Sequence, residues 1–241
     1  WDWFSSHVSE FNCELSNRSE DYSLLAVQGP KSQQLLGQLS LTSFAEQKSF
    51  SVQETTWQGN RLLVARTGYT GEDGAEIFCA PETVTVLWRD LLALGVTPCG
   101  LAARDVLRLE ACYPLYGHEI HDEVTPLDSA LKWTVKLDRE EFIGKKALAN
   151  YTPQLKFIKL TLDKGVPREN FPVHLPEEQG GQQVGHVTSG TMSVTLGKGI
   201  ALAHINADIP KEQKSFEIRI RKRTYPATKQ TQPFVRGGQS I

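Results

Sequence analysis

From about residue 150 onward the chain is cut into short alternating apolar segments, at 157–162, 172–175, 182–187, 200–205 and 215–221, with Gly and Pro between them. A period of two marks half-buried strands, and several such strands joined by turn residues form a small antiparallel sandwich or barrel. Ahead of them, helical and strand-like patterns are mixed. The chain therefore reads as α+β: an α+β portion over 1–150 followed by an all-β domain over 151–241, with the boundary near Asn150.

In the leading portion, Phe4, Val8 and Phe11 recur at helical spacing. Ser23-Leu24-Leu25-Ala26-Val27 predicts a short buried strand. Pro30 then suits the first turn of a helix carrying Leu35, Leu36 and Leu39. Residues 61–79 predict a hairpin, two apolar strands flanking a glycine-rich turn. Pro81 opens a helix with Val84, Leu87, Trp88, Leu91 and Leu92 inward, closed by Gly95. A further helix over 101–111 carries Ala102, Val106 and Leu109 as its apolar stripe. On that helix Arg104 and Arg108 lie one turn apart on another face.

Composition narrows the function classes. With 39% hydrophobic residues in 241, a sizeable core can form. A formal net charge of −2 gives no electrostatic basis for nucleic-acid binding. The densest basic run, Arg219-Ile220-Arg221-Lys222-Arg223, reads as the solvated face of a strand. No apolar run approaches the roughly 20 residues of a membrane span. Cys13, Cys79, Cys99 and Cys112 are irregularly spaced, with no C-x-x-C pair, and read as buried thiols of a reducing compartment. The chain begins Trp1-Asp2-Trp3-Phe4 and its single Met is Met192, which marks a fragment, a processed form or the ordered remainder of a longer chain.

Few residues carry a chemical signal. Gly68-Tyr69-Thr70-Gly71-Glu72-Asp73-Gly74 has the glycine spacing of a phosphate loop, but a strand follows it where a helix N-terminus is needed, and two carboxylates would repel phosphate. Glu76 shares a strand face with Phe78, opposite Ala75, Ile77 and Cys79. Such a carboxylate is either wet, paired to an arginine, or presented to a planar array of donors. Arg104 and Arg108 either form surface ion pairs with Asp105 or offer a planar fork to a ligand carboxylate. His118 and His121, among carboxylates in a loop, lack the element and the third ligand of a metal site, and no metal is expected. No Ser-His-Asp or Cys-His arrangement follows from residue order.

Taken together, several ordered segments resemble the T-protein family of the glycine cleavage system, the aminomethyltransferases. They are Leu25-Ala26-Val27-Gln28-Gly29-Pro30, then Arg66-Thr67-Gly68-Tyr69-Thr70-Gly71-Glu72-Asp73-Gly74-Ala75-Glu76-Ile77, and Gly100-Leu101-Ala102-Ala103-Arg104-Asp105-Val106-Leu107-Arg108-Leu109-Glu110-Ala111. Leu115-Tyr116-Gly117-His118-Glu119-Ile120, Thr125-Pro126-Leu127, Phe142-Ile143-Gly144, Gly185-His186-Val187-Thr188-Ser189-Gly190-Thr191 and Gly199-Ile200-Ala201 continue the match. The resemblance implies a folate-binding α+β portion followed by a small antiparallel β-barrel. It also implies a transferase that takes the aminomethyl group from the lipoyl arm of H-protein and passes its one-carbon unit to tetrahydrofolate, releasing ammonia. Tetrahydrofolate would be a co-substrate, with no metal, and lipoylated H-protein the partner, with neither nucleic acid nor membrane. By the same resemblance Glu76 holds the pterin and Arg104 contacts the ligand. The compartment would be bacterial cytoplasm or mitochondrial matrix. The alternatives are a non-catalytic folate-binding module and the folate domain of a sarcosine- or dimethylglycine-type dehydrogenase.

Three departures qualify this resemblance. The family's N-terminal portion, with the aspartate that acts on the tetrahydrofolate nitrogen, has no counterpart here. No catalytic residue is therefore assigned, and full activity is not expected of the chain alone. Ser193-Val194 replaces the usual Ser-Pro, a small change in turn stiffness. The chain ends at Ile241 without the terminal tyrosine that contacts the ligand in some relatives, so that contact is lost or replaced.

Overall fold

The computed structural model describes residues 1–41 and 46–240. The chain forms two compact units, Trp1–Gly68 with Asp73–Pro98, and Tyr69–Glu72 with Cys99–Ile241.

The first unit is built on a four-stranded antiparallel sheet of β1 (Ser23–Gln28), β2 (Val52–Trp57), β3 (Asn60–Ala65) and β4 (Gly74–Cys79), in the order β1-β4-β3-β2. One face is covered by α2 (Ser32–Gln38) and α3 (Pro81–Ala93). Val27, Leu62, Val64, Ala75, Ile77 and Cys79 from the sheet pack there on Leu36, Leu87 and Leu91. The expected 61–79 hairpin is present, with Leu62 opposite Cys79 and Ala65 opposite Glu76. β2 was not anticipated. It is an edge strand of polar and β-branched residues, of which only Trp57 is buried, so it shows little alternation. A two-residue turn joins it to β3, and both Gln58 and Gly59 have positive φ, as a primed hairpin turn requires.

Two helical expectations need correction. The first helix, α1, spans only Asp2–His7 and continues as a short 3-10 turn. Phe4 and Phe11 are exposed, so that periodicity marks no core. In α3 the buried stripe is Thr83, Leu87 and Leu91, and Trp88 and Leu92 are exposed. Gly95, with φ +86, ends this helix as expected: its N–H donates to the Leu92 carbonyl and that of Val96 to Leu91.

The second unit holds α4 (Leu101–Glu110), α5 (Lys145–Asn150) and a closed antiparallel barrel. Its six strands are β5 (Leu155–Leu162), β6 (Pro172–His174), β7 (Gln183–Met192), β8 (Gly199–Asn206), β9 (Ser215–Ile220) and β10 (Arg223–Gln230), closed in the order β10-β5-β8-β7-β6-β9. The choice between sandwich and barrel is thus decided for the barrel. Its interior is filled by Ile158, Leu160, Val173, Val187, Ala203, Phe216 and Ile218 among others. β8 is buried on both faces from Gly199 to Ile205, because its outward-facing Ile200 and Leu202 pack with Leu109 of α4 and with Phe234. The basic run at 219–223 is the exposed tip of the β9–β10 hairpin, with Arg221 at φ +56, and is not one continuous strand face.

The turn after β7, where Val194 follows Ser193, is held by a side chain. The buried carboxylate of Glu110 accepts from Ser193 Oγ at 2.5 Å, Thr195 N at 3.1 Å and Thr195 Oγ1 at 3.0 Å. Among the cysteines, Cys79 is buried and Cys112 half-buried. Cys13 and Cys99 are exposed, contrary to the expectation of four buried thiols; both lie in segments outside regular structure.

Candidate functional site

In the first unit the alternation of β4 has the expected consequence. Ala75, Ile77 and Cys79 are buried in the core, while Glu76 and Phe78 lie on the opposite face, half-buried. β4 is an interior strand, and the residues directly opposite Glu76 are Ala26 of β1 and Ala65 of β3. These methyl side chains bring no polar group to the carboxylate. Among the described residues its one hydrogen-bond partner is Thr67, whose hydroxyl donates to Oε2. Among the described residues no cation pairs with Glu76. Arg66 is committed elsewhere: Nε and Nη2 grip Asp73 at 3.0 and 2.8 Å, and Nη1 donates to the Gln47 carbonyl at 2.5 Å. The fork holds the Asp73 carboxyl below its ordinary range. Asp73, one of the loop's two acidic residues, is thus a structural clasp for Arg66.

The second unit contains a cavity of about 460 Å³ beside α4, lined by Tyr69, Arg104, Asp105, Arg108, Leu115, His118, Arg168, Glu169 and Ser189 among others. The two arginines of α4 differ sharply. Arg104 is exposed, its guanidinium 5.0 Å from the centroid of the Tyr69 ring in a cation–π arrangement. The Tyr69 hydroxyl donates to the Pro114 carbonyl and its ring stacks on Tyr113 at 5.7 Å. Burial pushes the Tyr69 phenol up from its ordinary pKa. Among the described residues neither Arg104 nor Arg168 is in an ion pair, and Arg168 Nη1 donates to the Gly190 carbonyl at 3.3 Å.

Arg108 is only 2% exposed. Nη1 donates to Glu119 Oε2 at 3.1 Å and to the Tyr113 carbonyl at 3.2 Å, Nη2 to Ser189 Oγ at 2.9 Å, and Nε to Asp105 at 2.8 Å. The expected surface pairing of Asp105 therefore exists, but with the buried arginine, and Arg108 is a structural hub. The expected apolar stripe of α4 is also revised: Leu109 is buried together with Arg108 and Glu110, while Ala102 is exposed.

The residues of the histidine-rich loop scatter to separate tasks. Glu119 is fully buried against Arg108, and His118 Nδ1 lies 3.1 Å from the Thr188 carbonyl and 3.4 Å from Glu169. Among the described residues no group of His, Cys, Asp and Glu is arranged to hold a metal ion. Glu76 belongs to the first unit and Arg104 to the second. Tyr69 and Arg168 were not singled out from the sequence. Tyr69 was available within the glycine-rich segment, whereas Arg168 lies in no periodic element.

A sheet-and-helix unit followed in sequence by a closed six-stranded antiparallel barrel is the architecture of a two-domain transferase family. Residues 1–139 match the GCVT N-terminal domain and residues 156–236 the glycine cleavage T-protein C-terminal barrel domain; the chain belongs to this family. An aminomethyltransferase from Deinococcus deserti is 43% identical over 234 residues, covering 97% of this chain and 63% of that protein. One from Rubrobacter xylanophilus is 40% identical, covering 97% and 62%. The crystal structure of glycine cleavage system aminomethyltransferase T from Bartonella henselae superposes with a TM-score of 0.83 at 27% identity, over 100% of this chain and 66% of that one. The chain thus spans somewhat less than two thirds of the length of these relatives.

Proposed function

We propose that this chain acts in aminomethyl transfer, as the part of a tetrahydrofolate-dependent aminomethyltransferase that carries one wall of the folate pocket and the barrel. The observation that carries this reading is the Glu76 carboxylate, half-buried on an interior strand between two alanines, with a single threonine donor and no cation among the described residues. A pterin offers adjacent N–H donors from its ring amide and 2-amino group, which match the two oxygens of a carboxylate. A paired contact of this kind orients as well as binds, and orientation is a large share of the catalysis required when a one-carbon unit passes between two carriers. Arg104, exposed in the cavity of the second unit with its guanidinium over the Tyr69 ring, is a ligand contact of that unit taken by itself. The one-carbon donor in this reading is the aminomethylated lipoyl arm of H-protein.

Calorimetry of the chain with tetrahydrofolate tests this. Glu76→Ala should cost on the order of 2–4 kcal/mol of binding, because the pterin donors lose their acceptors inside a desolvated contact. Binding that survives the substitution unchanged removes the assignment. A transfer assay with aminomethylated H-protein follows, and folate binding without any response to H-protein would assign the chain to binding alone.

A further inference from the structure

β1 ends at Gln28 and β4 begins at Gly74, and the two residues are opposite each other in register. The Gln28 side chain lies across two glycines that leave it room. A Cβ on Gly68 would stand 1.8 Å from Gln28 Oε1, and one on Gly74 would stand 2.6 Å from Gln28 Cδ and from the Val27 carbonyl. From that seat Gln28 Nε2 donates to the carbonyls of Thr67 at 3.1 Å and Ala75 at 3.2 Å. Ala75 immediately precedes Glu76, and Thr67 supplies the hydroxyl that Glu76 accepts. One amide therefore ties together the backbone of the donor and the backbone that carries the acceptor.

We propose that Thr67, seated by Gln28, is the positioning residue for Glu76. Its hydroxyl occupies one lone pair of Oε2 and fixes the rotation of the carboxylate about its last torsion. Oε1 and the remaining face of Oε2 are left to accept paired N–H groups from a planar heterocycle. A carboxylate held this way loses less rotational freedom on binding than a free one, which is how preorganisation raises affinity. The inference rests on the reading of Glu76 as the pterin ligand and adds to it a device that sets the angle of approach. It also gives a reason for the side-chain-free positions at Gly68 and Gly74: they admit the glutamine that holds the device.

The test is calorimetry of the whole chain with tetrahydrofolate for wild type, Thr67→Val, Thr67→Ser, Glu76→Gln and the double variant Thr67→Val with Glu76→Gln, each checked for an unchanged thermal midpoint. Thr67→Val keeps the shape and removes the donor, and should weaken binding about tenfold, the scale of one hydrogen bond to a charged acceptor. Thr67→Ser should restore it, and Thr67→Val should add nothing in the Glu76→Gln background. Wild-type affinity in Thr67→Val beside a loss in Glu76→Gln would overturn the positioning role and leave the pterin reading standing. Failure of serine to rescue, or a full additive loss in the double variant, would assign Thr67 to general structure and also overturn it. Equal binding by wild type and Glu76→Gln, or none by the wild type, would remove the pterin reading and this inference with it.

Discussion

The buried pair of Arg108 and Glu119 invites a quantitative perturbation. The two side chains are 2% and 0% exposed, so their interaction is little screened by water. Arg108→Met preserves length and apolar bulk while removing the guanidinium. Glu119 then keeps only the Leu115 N–H on Oε2 at 2.9 Å, with no described partner for Oε1, and the Ser189 hydroxyl and the Tyr113 carbonyl each lose a bond. Removing one partner of such a pair costs about 3–5 kcal/mol, because an uncompensated charge is left in a dry interior. Asp105, half-exposed, adds little to that figure. Adding Glu119→Gln removes the orphaned charge but keeps an acceptor for Leu115 N–H, and should recover on the order of 2 kcal/mol. Urea unfolding at neutral pH, with hydrogen exchange on the peptides covering α4 and β7 to locate the loss, measures both. A cost below about 1 kcal/mol for Arg108→Met, or a double variant as unstable as the sum of the two single ones, would refute this account of the pair.

Two further outcomes follow from titration. Burial, then the nearby His186, holds His204 below its ordinary pKa of 6.5, so the unfolded chain takes up this proton first. The stabilisation present above that value is therefore lost as pH falls from 6.5 toward the folded-state pKa. His204→Gln should shrink the drop in thermal midpoint between neutral and mildly acidic buffer, and an equally steep drop would show that other groups dominate. The Cys112 thiol is pushed up to about 11 by burial, so its reactive thiolate is scarce at mildly alkaline pH. Peptide mass spectrometry after timed alkylation should find exposed Cys13 modified well before Cys112, and comparable rates would contradict the packing described.

Period-two alternation in β4 was enough to place Glu76 on the face away from Ala75 and Ile77, and it needed no knowledge of the neighbouring strands. Gly95 ended α3 for an equally local reason, a backbone conformation that other residues adopt at a cost. β2 and β10 escaped notice because their residues are mostly polar. In β10 only Ala227 is fully buried, and Pro226 interrupts the pattern. Closure of the barrel depends on pairing β10 with β5, where Thr228 meets Thr161 far away in sequence, and no local periodicity contains that information.

The two arginines of α4 show the division most clearly. They are the same residue type, one turn apart on one helix, and nothing in their spacing ranks them. Arg108 is buried because the chain beyond α4 returns Glu119 and, from β7, Ser189 to its guanidinium, while Arg104 is left exposed over Tyr69. Local periodicity and backbone preference thus determined most of the elements and the face taken by Glu76, but not β2, β10 or the buried stripes of α3 and α4. Which charge is neutralised and which stays exposed was decided by tertiary structure, because the electrostatics of a side chain depends on partners that only long-range pairing brings within reach.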